Sequence, residues 1–183
     1  MIARQLKSLF WGRYSALGLA VALLGCVIDQ ADKWWMLLVY DIRDKKRVAA
    51  TPFLDLIYAL NQGVSYSFFT SSEPRWQVVL FAFSILASLG LAIWLARGIT
   101  NPLAAVSVGL IMGGAVGNGI DRLTLGGVAD FFSMHAFGYY WYIFNIADVG
   151  IVAGVIGLLY DSLSPTTVPS SDDTATKSPQ SKS

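Results

Sequence analysis

The sequence predicts a mostly α-helical membrane protein with four transmembrane helices and a small extramembrane β cradle. Of its 183 residues, 55% are hydrophobic and 14% are charged, whereas about a quarter of the residues in an ordinary soluble domain are charged. The mean hydropathy is +0.55. Four windows also approach the roughly 20 apolar residues that a helix needs to cross a bilayer. These observations favour a membrane protein over a soluble enzyme.

The four predicted spans run over residues 11–28, 76–96, 102–120 and 139–160. The second window carries no charge, and the third is rich in Gly and Ala. The fourth contains one charge, Asp148, and begins with the aromatic residues 139–142, which is typical of a helix that crosses the headgroup layer. A sequence that loosely resembles a lipoprotein cleavage box ends at Cys26, but three further spans favour a retained first helix.

Between the first two spans, residues 29–75 are predicted to form an extramembrane cradle. Two apolar runs in it, 34–40 and 52–60, are too short to span a bilayer and suit strands or an interfacial segment. Residues 162–183 are rich in Ser, Thr, Pro, Asp and Lys, and this composition predicts a disordered tail. Residues 1–161 are therefore expected to form one membrane-embedded domain.

Composition excludes several function classes. A net charge of +1 gives no basis for nucleic-acid binding. The single cysteine excludes an internal disulfide and Cys-based zinc sites, and the single histidine, His135, excludes two-histidine metal motifs. No metal and no cofactor is therefore expected. Basic residues divide almost evenly between the two predicted sides, so the positive-inside rule does not decide the orientation.

Asp148 is the first candidate for chemistry, because an ionisable residue inside a span is costly and is commonly functional. Asn145 lies three residues earlier on the same helical face and can form a hydrogen bond with Asp148. Asp130 is flanked by apolar residues on both sides, which indicates a paired or a reactive acid. Two such carboxylates can share one proton and act as base and acid in peptide hydrolysis.

Two other interpretations of these acids stay open on the residues alone. Asp148 also suits the coupling site of a small ion- or proton-coupled transporter, although no internal repeat is present. A third interpretation is a scaffold protein in which the acids are structural. Transport of a charged solute without proteolysis would indicate the former, and unchanged activity with lower thermal stability in Asp148→Asn would indicate the latter.

Further polar residues cluster where predicted spans end. Gly113 and Gly117 form a small-xxx-small step that lets another helix approach closely. Asn118 and Asp121 follow on one face, and Arg122 can either form an ion pair with Asp121 at the membrane boundary or reach a lipid phosphate. Near the first span, Asp29 and Lys33 have the spacing of an ordinary helix pair, and Asn61 and Gly63 indicate a turn.

Five segments of this sequence occur in a fixed order. They are DQADK at 29–33, NQGVSYS at 61–67, GGAVGNGIDR at 113–122, VADF at 128–131 and FNIAD at 144–148. Together they resemble the lipoprotein signal peptidases, the type II signal peptidases of bacteria, over about residues 26–160. The departures are Tyr66, where the family usually has Phe, and the Ser/Pro-rich tail.

The resemblance implies both chemistry and topology. It implies an aspartic endopeptidase that removes signal peptides from prolipoproteins just before a diacylglyceryl-modified cysteine, with Asp130 and Asp148 as catalytic residues. It implies four inner-membrane helices with both termini cytoplasmic, and a site near the periplasmic face under a strand cradle and a short periplasmic helix. Prolipoproteins and membrane lipids are the implied partners, and a monomer suffices. The matching supporting positions are Asn118, Asp121, Arg122, Asn145, Asn61, Gly63, Asp29 and Lys33.

Overall fold

Four helices have the length and apolar composition to cross a membrane, as the sequence predicts. In the computed structural model, which describes residues 11–63 and 74–164, they are α1, α2, α3 and α4. Helix α1 is followed directly by a π-helical turn, Trp35–Val39, which prolongs its apolar stretch to Leu38. The four helices α1 to α4 run over Ser15–Trp34, Pro74–Arg97, Pro102–Thr124 and Ile146–Leu163, respectively.

A four-stranded antiparallel sheet lies at the end of the bundle where α1 and α3 end and α4 begins. Its strands pair in chain order and are β1 (Val48–Thr51), β2 (Leu54–Asn61), β3 (Val128–Ala136) and β4 (Tyr139–Phe144). A short 3-10 helix, Ile42–Asp44, precedes β1. The predicted mostly helical membrane fold with a small sheet is therefore confirmed.

The sheet differs from the predicted cradle in its boundaries. Half of it comes from residues 128–144, outside the predicted range of 29–75. The aromatic run 139–144 forms strand β4 and not the start of the fourth span, because it pairs with β3. The helix begins only at Ile146, after Asn145 caps it. Residues 29–34 belong to α1, so Asp29 and Lys33 lie inside the first span.

Helix α3 is the centre of the bundle, since 61% of its spanning window is buried against 11–22% for the other three. Glycine allows this close packing. A Cβ on Gly113 would lie 2.5 Å from the carbonyl oxygen of Ala22 on α1, and one on Gly114 would lie 2.5 Å from that of Ala147 on α4. The predicted close approach at Gly113 is thus confirmed, with α1 as its partner.

A small hydrophobic cluster fastens the sheet to the end of α1. Met36, Leu37 and Ile42 pack with Ala129 and Phe131 of β3, and all five are buried. Asp130 lies between two fully buried neighbours, so its side chain leaves the sheet on the opposite face to theirs. The sheet therefore fixes the direction in which this carboxyl group points. Tyr66 and residues 165–183 of the predicted tail lie outside the described residues.

Candidate active site

The two acids singled out in the sequence lie on different elements that meet at one end of the bundle. Asp130 is on β3 and is 3% exposed. Asp148 is in the first turn of α4, where Asn145 is the N-cap. The Asn145 side chain accepts a hydrogen bond from the Asp148 amide at 2.9 Å, and the Asp148 carboxylate accepts one from the Asn145 amide at 3.3 Å. This capping box fixes Asp148 at the positive end of the helix dipole.

Two asparagine side chains connect the carboxyl groups. Asn145 Nδ2 donates to Asp130 Oδ1 at 2.7 Å and to Asn118 Oδ1 at 3.1 Å. Asn118 Nδ2 donates to Asp148 Oδ1 at 2.9 Å. The chain from Asp130 through Asn145 and Asn118 to Asp148 joins β3, α4 and α3. The structure thus brings together four residues that are scattered along the sequence.

Lys33 supports this chain from α1. Its ammonium group lies 2.8 Å from both Asp29 Oδ2 and Asp121 Oδ2 and donates to Asn118 Oδ1 at 3.1 Å. Lys33 is 2% exposed and Asp29 is fully buried, so this is no ordinary surface helix pair. Three acceptors satisfy the three N–H groups of the lysine, as a buried ammonium requires.

The predicted ion pair between Asp121 and Arg122 is wrong, because Asp121 forms its ion pair with Lys33. Consecutive residues on a helix point about 100° apart, so Asp121 faces α1 while Arg122 does not. Arg122 Nη1 donates to the Asn118 carbonyl oxygen at 2.9 Å. Within the described part of the chain, its buried Nε has no hydrogen-bond partner.

The two buried aspartates beside Lys33 also accept hydrogen bonds from backbone amides next to the candidate catalytic acids. Asp121 Oδ2 accepts from the Ala129 amide at 3.1 Å, one residue before Asp130. Asp29 Oδ1 accepts from the Ala147 amide at 2.8 Å, one residue before Asp148. One lysine with two carboxylates therefore holds the strand and the helix that carry the pair.

Burial raises the pKa of Asp130 to about 7, and the nearby charge of Asp148 adds to the effect. Hydrogen bonds from Asn145 and Asn61 act in the opposite direction, because they stabilise the carboxylate. Asn61 Nδ2 donates to Asp130 Oδ2 at 3.3 Å, and its own Oδ1 accepts from the Gly63 amide at 3.1 Å. The Asn61–Gly63 turn predicted from the sequence therefore holds an amide against Asp130.

A cavity of about 510 Å³ opens beside Asp148 and the two residues that bond the acids or their backbone, Asn118 and Asn61, whereas Asp130 lies behind its lining. Asp148, Asn118, Arg122, Asn61 and Gly63 form its polar lining. The remaining lining is mostly apolar and comes from β3, β4 and α4: Val128, Tyr142, Ile143, Phe144, Ile151 and Val152. Across residues 11–63 and 74–164, no group of three or more His, Cys, Asp or Glu side chains could hold a metal ion.

The sequence model of signal peptidase II matches residues 21–164. The chain belongs to the signal peptidase II family. The lipoprotein signal peptidase of Rhodopseudomonas palustris strain TIE-1 is 47% identical over 80% of this chain and 92% of its own length. That of Nitrobacter hamburgensis is 48% identical over 79% of this chain and 90% of its own length. These relatives support a peptidase, and nothing in them favours the transporter hypothesis.

Solved structures of bacterial membrane enzymes have a similar fold. A bacterial membrane enzyme solved by the in meso method at 2.3 Å resolution has a TM-score of 0.71 and 25% identity, over 91% of this chain and 95% of its own. A second such structure at 1.9 Å has a TM-score of 0.70 and 27% identity, over 82% of this chain and 95% of its own. The chain is thus a multi-pass bacterial membrane peptidase.

One supporting residue of this signal peptidase II was not predicted from the sequence. Gln30 Nε2 donates to Asp121 Oδ1 at 2.9 Å and to the Gly117 carbonyl oxygen at 3.2 Å, so it ties α1 to α3. Its position inside the DQADK segment was the available signal. His135 is partly buried and lies 3.3 Å from Asp55.

Proposed function

We propose that this peptidase is an aspartic endopeptidase that cleaves prolipoproteins just before a diacylglyceryl-modified cysteine, with Asp130 and Asp148 as the catalytic residues. The hydrogen-bonded chain between the two carboxyl groups carries this proposal. It connects two acids of different environment, of which Asp148 lines the cavity, and two connected acids of this kind suit acid–base hydrolysis. The names of the relatives support the substrate class.

The environments of the two acids support different roles for them. Asp130, whose pKa is about 7, holds the shared proton near neutral pH. Asp148 accepts from a helix N-terminal amide and from Asn118, and both bonds stabilise its carboxylate. Asp148 therefore takes a proton from water, and the water oxygen attacks the scissile carbonyl carbon. Asp130 donates its proton to the carbonyl oxygen.

Collapse of the tetrahedral intermediate breaks the C–N bond. The proton that Asp148 took from water passes to the leaving amine, and the intermediate's hydroxyl returns a proton to Asp130, so the pair regains its starting state. Arg122 supports this chemistry as a binding residue, because it lines the cavity and has a buried N–H group to offer a substrate carbonyl. Asn118, Asn145 and Asn61 act as positioning residues.

The surroundings of the cavity suit a lipid-modified substrate. An apolar groove of about 310 Å³ begins at Asp148 and continues along the exposed face of α4, past Val149, Val152 and Ile156. A diacylglyceryl group confined to the bilayer can place its acyl chains there while the adjacent peptide bond reaches the pair. This fit favours a substrate that approaches from within the membrane.

We further infer that both termini are cytoplasmic and that the sheet faces the outer side of the inner membrane, with one chain sufficient for activity. The even number of spans keeps both ends of residues 11–164 on the side opposite the sheet. A prolipoprotein is cleaved where its lipidated cysteine lies, at headgroup depth, and this is where α4 begins. The complete set of functional residues comes from one chain, which supports a monomer.

Asparagine replacements test the catalytic assignment. The variants Asp130→Asn and Asp148→Asn should each lose prolipoprotein cleavage by several orders of magnitude, because neither can exchange the required proton. Purified protein would be assayed on a diacylglyceryl-modified precursor in the presence of a chelator. Asp161→Asn, on the same helix α4 but bonded to Asn101 at the other end of the bundle, should keep near wild-type activity.

Cleavage by either the Asp130 or the Asp148 variant at a rate close to wild type would refute the assignment. Loss of wild-type activity on chelation, with recovery on adding metal, would refute the metal-free mechanism. Thermal unfolding of each variant shows whether an inactive protein is still folded.

A further inference from the structure

A second cavity, of about 190 Å³, lies between the ends of α1 and α3. It shares no lining residue with the catalytic cavity. Its walls are formed largely by Trp34, Leu37, Leu38, Thr124 and Leu125. We call this cavity the α1–α3 cleft. An engineered cavity of about 150 Å³ binds benzene, so the cleft has room for a segment of one hydrocarbon chain.

The α1–α3 cleft lies at the edge of the membrane. The spanning stretch of α1 ends at Leu38 and that of α3 ends at Thr124, and both residues line the cleft. Trp34 and Leu38 are 55% and 67% exposed, as expected of side chains that face lipid. A ligand for this cleft is therefore available from the bilayer itself.

An exposed cationic side chain forms part of the cleft lining. Arg43 lines it and is exposed, whereas Lys33, which also lines it, is buried. The Arg43 guanidinium lies 5.3 Å from the centre of the Tyr58 ring. Among the residues that the structure describes, no hydrogen bond or ion pair involves Arg43. Its N–H donors therefore remain available for a planar or tetrahedral anion.

The surrounding charge also favours an anion. Arg43, Lys45, Lys46 and Arg47 outnumber Asp41 and Asp44, so residues 41–47 carry a net charge of +2. This segment begins three residues after the last spanning residue of α1. Basic clusters immediately beside a span attract anionic lipids by about 1 kcal/mol per residue.

We propose that the α1–α3 cleft binds one anionic phospholipid, with its phosphate on Arg43 and the upper part of one acyl chain against Trp34 and Leu38. The lining includes Lys33 and Asp121, which hold Asn118 and strand β3. The proposal is independent of the catalytic assignment, because it needs only a membrane-embedded chain.

The test compares phosphatidylglycerol with phosphatidylcholine. Each is added to the full-length protein in detergent, and the Tm and the number of lipids retained in native mass spectrometry are measured. Phosphatidylglycerol should raise the Tm of the wild type more than phosphatidylcholine, with one lipid retained. Arg43→Gln should raise the phosphatidylglycerol concentration at half-saturation about fivefold, which corresponds to roughly 1 kcal/mol for one basic residue.

Two matched controls make this test specific to the cleft. Arg13 lies 5.3 Å from the Tyr14 ring at the opposite end of α1, so Arg13→Gln should leave phosphatidylglycerol binding unchanged. Thr124→Phe should block the cleft and abolish the retained lipid. Leu123→Phe changes an exposed residue outside the cleft lining and should not.

Equal Tm shifts for the two lipids would overturn the proposal. So would equal losses of binding in the Arg43 and Arg13 variants, which would indicate general attraction of lipid to arginine. Equal effects of Thr124→Phe and Leu123→Phe would place the lipid elsewhere. None of these readouts uses peptidase activity, so failure here is distinguishable from failure of the catalytic proposal.

Discussion

At the residue scale, each polar atom of the Asn118 side chain bonds a different part of the site. Its Oδ1 accepts from Lys33 and Asn145, and its Nδ2 donates to Asp148. Since only donors surround Oδ1, the amide has one satisfactory orientation. Aspartate at this position would place a second negative charge beside Asp148, and a shorter residue would break the link to Lys33.

Replacing Asn118 by Ala should lower kcat for prolipoprotein cleavage by about 10- to 100-fold with little change in KM, because a hydrogen bond to a charged group contributes about 1.5–3 kcal/mol. Steady-state kinetics in detergent check this. Asn101→Ala is the matched control, since Asn101 caps the same helix at its other end. It should reduce stability but not kcat, and an unchanged kcat in Asn118→Ala would contradict the positioning role.

The pKa of Asp130 predicts the pH dependence of cleavage. With a pKa of about 7, Asp130 is protonated below neutral pH and ionised above it, so the pair loses its shared proton as the pH rises through 7. We expect kcat/KM to fall about tenfold per pH unit above that point. Asn61→Ala removes a hydrogen bond that lowers this pKa. The pKa of Asp130 should therefore rise, and the fall of kcat/KM on the alkaline side of the pH profile should move to higher pH. A fall that stays in place or moves to lower pH would contradict this.

At the element scale, α3 determines how closely the other helices approach. Most of its glycines face α1 or α4, Gly119 faces α2, and a Cβ on Gly117 would lie 2.5 Å from Asp29 Oδ2. The absence of a side chain at Gly117 is therefore what allows Asp29 to reach both Lys33 and the start of α4. Helix packing and the polar network depend on the same residue.

Gly117→Ala should lower the stability of the protein by about 1–3 kcal/mol, because overpacking displaces a buried carboxylate from its ion pair. It should also reduce kcat, since Asp29 positions α4. Thermal unfolding and cleavage kinetics measure both effects. A Cβ on Gly90 of α2 meets nothing within 4 Å, so Gly90→Ala should be neutral or slightly stabilising. Equal behaviour of the two variants would contradict the packing argument.

At the scale of the whole molecule, the sheet and the α2–α3 turn lie at opposite ends of the bundle. Two strands come from the chain segment that joins α1 to α2, and two come from the segment that joins α3 to α4. With four spans, both segments lie on the same side of the membrane. Basic residues do not decide which side this is, because they divide almost evenly between the two ends, and the cluster at 43–47 on the sheet side by itself favours the cytoplasm. The orientation therefore needs a direct measurement.

We predict that the sheet is periplasmic. In a Cys26→Ala background, a membrane-impermeant maleimide should label Lys46→Cys in intact cells with a permeabilised outer membrane. It should label Thr100→Cys, in the α2–α3 turn, only after the inner membrane is lysed. Both positions are exposed in the structure, so accessibility to water does not bias the comparison. The reverse labelling pattern would place the site on the cytoplasmic side.

The sequence by itself determined the membrane class, the number of spans and the family. Apolar length is a local property that twenty consecutive residues display. The candidate residues were also recoverable, because an acid among apolar residues is conspicuous wherever it lies. Asp148 and Asp130 stood out for this reason, before any contact between them was known.

Only the tertiary structure decided which residues meet. The aromatic run 139–144 became a strand because it pairs with β3, and pairing between segments leaves no local mark that distinguishes it from a helix start. Asp121 pairs with Lys33, 88 positions away, and not with its neighbour Arg122, because helix geometry points adjacent side chains in different directions. Long-range contacts of this kind place the two acids on one hydrogen-bonded chain, and no spacing in the sequence determines that.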